Sequence, residues 1–516
     1  MTDLPDDVPA DPYLQRAQMY ERFAIVPVAF STNGRQVDFV GPLDAGIVVG
    51  GIAIVEHDAG LVAVHVHDVR LETRQGTREI DVADNEITVG FALRHVSGSG
   101  VVVGVLDGDG FVVADQLRSF GERRVRAATD DEVGRIMATL DGDAATIEIG
   151  AVRGFPGLPA RLRSKGFARH TFMCGQSGSG KTYTTGVLFE RLLAHSSLPM
   201  MIIDPNSDHV HLGALADPDD TSPESELYRQ VAPSVVVSRT RGLPSTVTLC
   251  VDFSDLDLDV QAALLRLDPI GDLDDYAALR ALTERLDAPY SVVDVAHLAA
   301  QDPVTSPISR RIENLGIDRW SVWRTGGEQS VTRLDVVGRR CVVVDTGSLA
   351  GPDERAATSM AILGNRWKQR RERRPVLLAI DEAHNVLPSS TENPLLRRAT
   401  EIGILIAGEG RKFGLHLFLA SQRPGKVHPN VLSQCDNLVL MRMNGMGDIA
   451  DLEAMFSHVP PMLLRESLGL GLGQALFAGP LSPFPVFAQV GTRLTPEGGG
   501  DVPTTWTSQP TAAPTR

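Results

Sequence analysis

His170-Thr171-Phe172-Met173-Cys174-Gly175-Gln176-Ser177-Gly178-Ser179-Gly180-Lys181-Thr182 runs from an apolar stretch into a glycine-rich loop that ends in Lys-Thr. Residues 171–174 predict a buried strand and 182–193 a helix, so the loop joins a strand end to a helix start. From Gly175 to Thr182 the sequence matches GxxxxGK[ST] in full. Glycines let such a backbone wrap a phosphate with successive N–H groups pointing inward, and the new helix adds its positive end. In that arrangement Gly175, Gln176, Ser177, Gly178, Ser179 and Gly180 cradle the phosphates of a nucleotide. Lys181 reaches the β- and γ-phosphates, and the Thr182 hydroxyl holds Mg²⁺.

A phosphate loop of this kind needs an acidic partner, and Pro375-Val376-Leu377-Leu378-Ala379-Ile380-Asp381-Glu382 supplies one. The aliphatic run reads as a central strand with Asp381 at its C-terminal edge, where it binds Mg²⁺. Glu382, the next residue, is the candidate general base for the attacking water. GTPases of the Ras type lack a glutamate there, so the Asp-Glu pair argues for ATP hydrolysis. A third element is the apolar run 415–421 followed by Gln422. A strand ending beside the acidic one brings Gln422 to the γ-phosphate or its water; a capping glutamine is the other reading.

Outward from these motifs the chain alternates short buried strands with helical stretches, the pattern of a parallel sheet covered by helices. Strands are predicted at 171–174, 200–204, 341–345, 376–381, 415–421 and 437–443. Before the phosphate loop the texture changes. Val62, Val64 and Val66 alternate with Ala63, His65 and His67, the period of a half-buried strand. Residues 100–106 and 111–114 are apolar runs joined by Asp107-Gly108-Asp109-Gly110, a hairpin turn signal. Several short strands in about 100 residues suggest a small barrel or sandwich. The resulting division is an acidic arm (1–20), an N-terminal β-barrel (21–126), a junction with the first part of the core (127–211), a mostly helical insertion (212–335), the second part of the core (336–495) and a Thr/Pro/Gly-rich tail (496–516). Within the junction, 130–140 predicts a short helix and 154–159 a linker. In the insertion Asp252, Asp255, Asp257, Asp259, Asp268, Asp272, Asp274 and Asp275 interleave with leucines, which reads as a solvated acidic face.

At about 150 residues per domain, 516 residues amount to roughly three units. The formal net charge of −16 excludes a wholly basic nucleic-acid binder but not a local basic channel. The 4 cysteines, Cys174, Cys250, Cys341 and Cys435, are widely spaced without CxxC, so neither a disulfide framework nor a cysteine zinc site is expected, and a reducing cytoplasm fits. No apolar run is long enough for a membrane span, and the acidic N-terminus lacks the apolar core of a secretion signal.

Taken together, the motifs resemble the HerA–FtsK superfamily of ring ATPases, and HerA in particular. The resemblance is carried by His170, the phosphate loop, Ile203-Asp204-Pro205, Val343-Val344-Asp345, Ile380-Asp381-Glu382-Ala383-His384-Asn385, Gly410-Arg411-Lys412-Phe413-Gly414-Leu415 and Ala420-Ser421-Gln422-Arg423-Pro424. It implies an α/β fold: a RecA-like P-loop NTPase core with a parallel-rich sheet, an N-terminal small β-barrel and a helical insertion. It also implies a homohexamer around DNA that uses ATP and Mg²⁺ to translocate, with a nuclease partner in DNA end processing. Bacterial relatives pair with nuclease or sirtuin-like effectors in anti-phage defence. An arginine acting across a subunit boundary is implied as well; Arg411 is the first candidate and Arg442 the second, with a solvated helix end as the other reading of Arg411. The sequence departs from the family at Asp204-Pro205-Asn206-Ser207-Asp208-His209, where HerA proteins often carry a glycine and an aromatic; Asp208 remains a candidate neighbour of the nucleotide.

For DNA, the basic run Lys368, Arg370, Arg371, Arg373 and Arg374 is either pore lining or a solvated helix end. No aromatic-basic interleaving marks a stacking platform, so backbone tracking is expected rather than base readout. Two functions follow: a hexameric ATP-driven DNA translocase or helicase, or an ATP-gated ring scaffold that assembles and switches an effector with little motor activity. A membrane-anchored DNA pump is a weaker third.

Overall fold

A computed structural model describes residues 26–82, 85–108, 110–240, 246–324, 327–334 and 336–499. The expected arm lies outside the described residues, as does most of the expected tail.

The N-terminal part is a seven-stranded antiparallel sheet in the order Gln36–Gly41, Val28–Ser31, Phe120–Ala127, Ile52–His57, Gly60–Val82, Asn85–Asp107, Gly110–Val113. Gln36–Gly41 also pairs with Asn85–Asp107, which closes the barrel. Closure removes the exposed sheet edges that an open sheet of this size would carry. Inside, Val62, Val64 and Val66 pack with Ala29, Val37, Phe39 and Val102. The last two strands pair antiparallel up to Asp107 opposite Gly110; Asp109 of the expected turn lies outside the described residues.

Two findings here differ from expectation. Ala63 and His65, expected to face solvent, are buried like their neighbours. The barrel's outer face at this point is covered by the helix Asp130–Asp141, whose Val133, Ile136 and Met137 join Ile54, Ala63 and Val486 in one apolar cluster. That helix starts in a capping box formed by Thr129 and Glu132. Glu132 also takes both terminal nitrogens of Arg126 at 2.8 and 2.7 Å, and these bonds pull its carboxyl down to about 2. Second, residues 154–159 are no linker. Gly154 turns with φ of 86° between the strands Thr146–Val152 and Phe155–Arg163. Phe155–Arg163 lies at the edge of the large sheet, where Pro156 and Pro159 need no ladder partner on their open side.

The large sheet has twelve strands. Eight run parallel, in the order Thr246–Thr248, Val235–Arg239, Cys341–Asp345, Met200–Asp204, Val376–Ile380, Leu415–Ser421, His170–Cys174, Cys435–Leu440. The remaining four, Gln474–Ala478, Val486–Val490, Thr146–Val152 and Phe155–Arg163, continue it antiparallel. All six predicted strands are present; 200–204, 341–345 and 415–421 have the expected bounds, and the other three shift at one or both ends. Each central strand is buried on both faces, which explains continuous apolar runs rather than alternation.

The insertion is less separate than its composition suggests. Val235–Arg239 and Thr246–Thr248 extend the parallel sheet. Leu264, Leu279, Val295, Ile308 and Ile312 from its helices share one cluster with the sheet residues Val342, Leu378 and Leu417. Its aspartates are not a bare acidic face: Asp255 pairs with Arg333, Asp252 with Arg324, and both Asp272 and Asp275 with Arg311 at 3.0 Å. Trp320 and Trp323 stack with ring centres 5.9 Å apart inside this region. Residues 496–499, expected in the tail, run against the loop after Met200–Asp204, where the Gly498 N–H donates to the Asp208 carbonyl at 3.1 Å.

The barrel meets the large sheet at His65, whose ring lies 4.8 Å from that of Phe484 and whose Nδ1 is 3.1 Å from His67 Nε2. Burial first, and then His67, lower its imidazole to about 3. The unfolded chain takes up that proton near the ordinary value of about 6.5. Protonation therefore favours the unfolded chain, and stability falls as pH drops from about 6.5 toward 3. His65→Gln is expected to lessen the difference in urea midpoint between pH 7 and pH 5; an unchanged difference would reject this role.

Candidate active site

Because its central strands are parallel, the sheet sends their C-terminal ends to one edge, and a sheet of this kind binds ligands there. Cys174 stands beside Ser421 and Ile380 beside Leu419, while Asp204 aligns with Asp345. One strand, Leu415–Ser421, separates the phosphate-loop strand from the Asp-Glu strand. Gly175, Gln422, Asp381 and Pro205 thus leave the sheet side by side.

Gly178 and Gly180 take φ of 73° and 91° in the loop, left-handed angles that favour glycine. The helix Lys181–His195 begins directly after them. Lys181 is 6% exposed, and its ammonium sits 2.9 Å from Asp381 Oδ1 and 3.0 Å from Glu382 Oε1. Burial alone would lower its proton affinity, but the two carboxylates more than offset this and hold it above the usual range. Asp381 is the mirror case: burial pushes it up, and Lys181 pulls it net below its ordinary value.

Glu382 follows in a left-handed turn with φ of 45°, a conformation that costs a non-glycine residue on the order of 1–3 kcal/mol. Its N–H donates to Asp381 Oδ1 at 2.9 Å. Gln422 Nε2 donates to Glu382 Oε1 at 2.8 Å, so the end of the neighbouring strand touches the candidate base directly. His384 Nδ1 lies 3.3 Å from Glu382 Oε2 and 3.1 Å from Ser421 Oγ. His384 stands four residues past the end of the strand Val376–Ile380, and that place beside the acidic pair is the signal the sequence carries for it.

Asp204, Asp208 and Asp381 bring one carboxylate oxygen each within 4.8 Å of one another. Thr182 Oγ1 donates to Asp208 Oδ2 at 3.4 Å. Asp381 Oδ2 is buried with no hydrogen-bond partner among the described residues. Oxygen donors around an unpartnered carboxylate oxygen fit a hard divalent cation such as Mg²⁺. Thr182, Asp381 and Asp208 are the residues that would hold it. Asp204 serves the loop instead: it accepts from the backbone N–H groups of Asn206, Asp208 and His209 at 3.2, 3.1 and 2.8 Å. Burial raises Asp204 to about 7, against those bonds. Ser207 keeps a left-handed φ of 63°, and its hydroxyl donates to Asp345 at 2.7 Å. The loop thus holds a left-handed turn without a glycine.

Residues 147–296 match the family model described as Helicase HerA, central domain. A curated relative, "DNA double-strand break repair helicase HerA" of Sulfurisphaera tokodaii, is 24% identical over 410 residues, which is 74% of this chain and 75% of that protein. The chain is HerA-like. The "Probable DNA double-strand break repair helicase HerA" of Methanocaldococcus jannaschii is 32% identical over 129 residues. That match spans 25% of its length, and two further curated matches span 24% and 20% of theirs. Among solved structures, VirB4 of Thermoanaerobacter pseudethanolicus aligns over 68% of this chain and 98% of its own, at 16% identity and a TM-score of 0.47.

In this HerA-like chain the two candidate trans-acting arginines stand apart. Arg411 lies in the turn Gly410–Phe413, before the strand Leu415–Ser421 and therefore at the sheet edge opposite Lys181. It pairs with Asp436 at 2.7 Å, and Arg169 reaches the same carboxylate oxygen at 3.1 Å. The structure does not bring Arg411 to the other site residues. Arg442 follows the strand Cys435–Leu440 and donates to the carbonyl of Gly178 at 3.0 Å, on its own phosphate loop. The basic run sits at the edge opposite the site, with Lys368 on Asp257, Arg374 on Glu372 and Arg370 stacked 4.1 Å over Trp367.

Removing the cation from a buried cluster leaves carboxylates uncompensated. Lys181→Met is expected to lower the unfolding free energy of the nucleotide-free chain by about 3 kcal/mol, read by urea denaturation at neutral pH. A loss below about 1 kcal/mol would reject the ion pair as a stabilising contact.

Proposed function

We propose that this chain is a Mg²⁺-dependent ATPase that works as a homohexameric ring driving DNA translocation or unwinding. The observation that carries the reading is the contact chain Lys181–Glu382–Gln422, which joins the proposed phosphate grip, base and sensor, the first two of them buried. ATP arriving at residues 175–182 draws the Lys181 ammonium from the carboxylates to the β- and γ-phosphates. Glu382, relieved of that ion pair, takes the proton of a water that Gln422 orients toward the γ-phosphorus. The bond to the β-phosphate oxygen breaks as the water oxygen bonds to phosphorus. Mg²⁺ neutralises phosphate charge when bound. A low-dielectric surrounding strengthens each of these interactions.

The ring rests on two supports, the likeness to HerA and the position of Arg411. At the far sheet edge Arg411 serves no triphosphate of its own chain, so a neighbour's γ-phosphate is its proposed target. DNA is gripped through phosphates rather than bases, and a chain of net charge −16 does this in the assembled ring, where loops converge. By resemblance to HerA-type systems the ring acts in the cytoplasm with a nuclease or sirtuin-like effector, in DNA end processing or anti-phage defence. Among the described residues no helix is long and apolar enough to cross a membrane.

Phosphate release from Mg²⁺-ATP tests the site. Lys181→Ala is expected to abolish turnover, and Glu382→Gln to lower it by about 10²–10⁴-fold while nucleotide still binds. Turnover untouched by Lys181→Ala would refute the assignment. Sedimentation with ATP should give a species several times 55.5 kDa, and a monomer that hydrolyses at the full rate would remove Arg411 from its role. If Glu382→Gln leaves an effector's activity intact, the ring is a scaffold; if both are lost, it is a motor.

A further inference from the structure

The segment after the strand Val486–Val490 crosses the start of the phosphate-loop helix and ends on the Asp208 loop. Its centre is Arg493, whose side chain is 2% exposed. The guanidinium lies against Gly186 of the helix Lys181–His195, where an added Cβ would come within 2.6 Å of it. Only glycine leaves room for that approach. From there Nη1 donates to the Thr182 carbonyl at 3.3 Å, and Nη2 to the Asp208 and Pro496 carbonyls at 3.5 and 3.3 Å. The Arg493 N–H donates to the Tyr183 hydroxyl at 2.8 Å.

Glu190, fully buried two turns along the same helix, fastens the segment. Its oxygens accept the N–H groups of Leu494 and Thr495 at 2.8 Å each and the Thr495 hydroxyl at 2.6 Å, and one lies 3.8 Å from Arg493 Nε. The Gly498 N–H then bonds the same Asp208 carbonyl. A planar guanidinium spans two carbonyls in fixed geometry, which an ammonium does not. Here the two carbonyls belong to the two residues whose side chains, Thr182 and Asp208, line the candidate cation site from different elements.

We infer that Arg493 is a positioning residue: through the strap 491–499 it ties the Asp208 loop to the phosphate-loop helix and sets the spacing of the oxygens that receive the divalent cation. The inference rests on the ATPase reading above. Residues behind metal ligands typically change metal affinity by about 10–100-fold when removed.

The test uses the full chain with Mn²⁺ as probe, its binding followed by electron paramagnetic resonance in the presence of ADP, beside ADP affinity in EDTA and thermal melting. Arg493→Gln is expected to weaken Mn²⁺ binding about 10-fold or more with ADP affinity in EDTA within about twofold of wild type. Arg493→Lys should recover part of the loss, and Glu190→Gln, which loosens the strap while keeping the arginine, should weaken Mn²⁺ in the same direction. Mn²⁺ affinity unchanged in both Arg493→Gln and Glu190→Gln, with wild type binding ADP, would overturn the strap's role and leave the ATPase reading standing. A parallel fall in metal-free ADP affinity would overturn it too, as general loosening. Wild type that binds neither Mn²⁺ nor ADP would overturn both readings.

Discussion

The ammonium of Lys181 between the carboxylates of Asp381 and Glu382 is the contact on which the rest depends. These three groups lie where water is nearly excluded, with Asp204 and Asp208 beside Asp381 and His384 beside Glu382, and isolated charges there would each be strongly unfavourable. Together they are tolerated, because one cation faces two anions and Gln422 adds a donor to the second. The arrangement is also poised to change. A triphosphate competes for the lysine, and whatever it takes from the pair must be returned by other cationic charge. In the proposed ATPase, that requirement would tie phosphate binding, a divalent cation and the freed glutamate into one event.

Geometry supplies this contact from distant segments. Lys181 and Asp381 are 200 positions apart in sequence, and Gln422 stands 40 beyond Glu382. Parallel strands bring them to one edge, and the strand order puts Leu415–Ser421 between the other two. The left-handed turn at Glu382 then aims its carboxylate back across the sheet toward Lys181 and Gln422. Elsewhere the same logic appears in quieter form. Ser207 keeps a left-handed backbone without a glycine because Asp345 receives its hydroxyl and Asp204 collects three N–H groups of the loop.

Legibility in the sequence tracked how local each cause was. The phosphate loop, the Asp-Glu strand end and all six predicted core strands could be read because short buried parallel strands leave continuous aliphatic runs between glycine and acidic punctuation. The edge hairpin of Thr146–Val152 and Phe155–Arg163 could not, since its prolines and glycines look like a linker until an edge position makes them harmless. Ala63 and His65 misled for a related reason: alternation reports the barrel's inner face, while the outer face is covered from far along the chain, Ala63 by the helix Asp130–Asp141 and His65 by Phe484. The acidic stretch of the insertion looked solvated because its arginine partners, Arg311, Arg324 and Arg333, arrive from later in the chain.

By itself, then, the amino-acid order determined the features that one strand end and one loop can declare: a glycine-rich loop ending in Lys-Thr at 175–182, an acidic pair at 381 and 382, a glutamine after an apolar strand, and a β-rich part before them. Tertiary structure alone decided that Gln422 rests on Glu382, that Asp208 joins Thr182 and Asp381, that Arg442 lies on its own phosphate loop and Arg411 at the far edge, and that Arg493 reaches the helix start from near the C-terminus. The division has a plain physical cause. Phosphate binding is built largely from backbone conformation over eight consecutive residues, which sequence encodes directly. Charge pairing depends on distances through space, and those exist only once the sheet has been assembled.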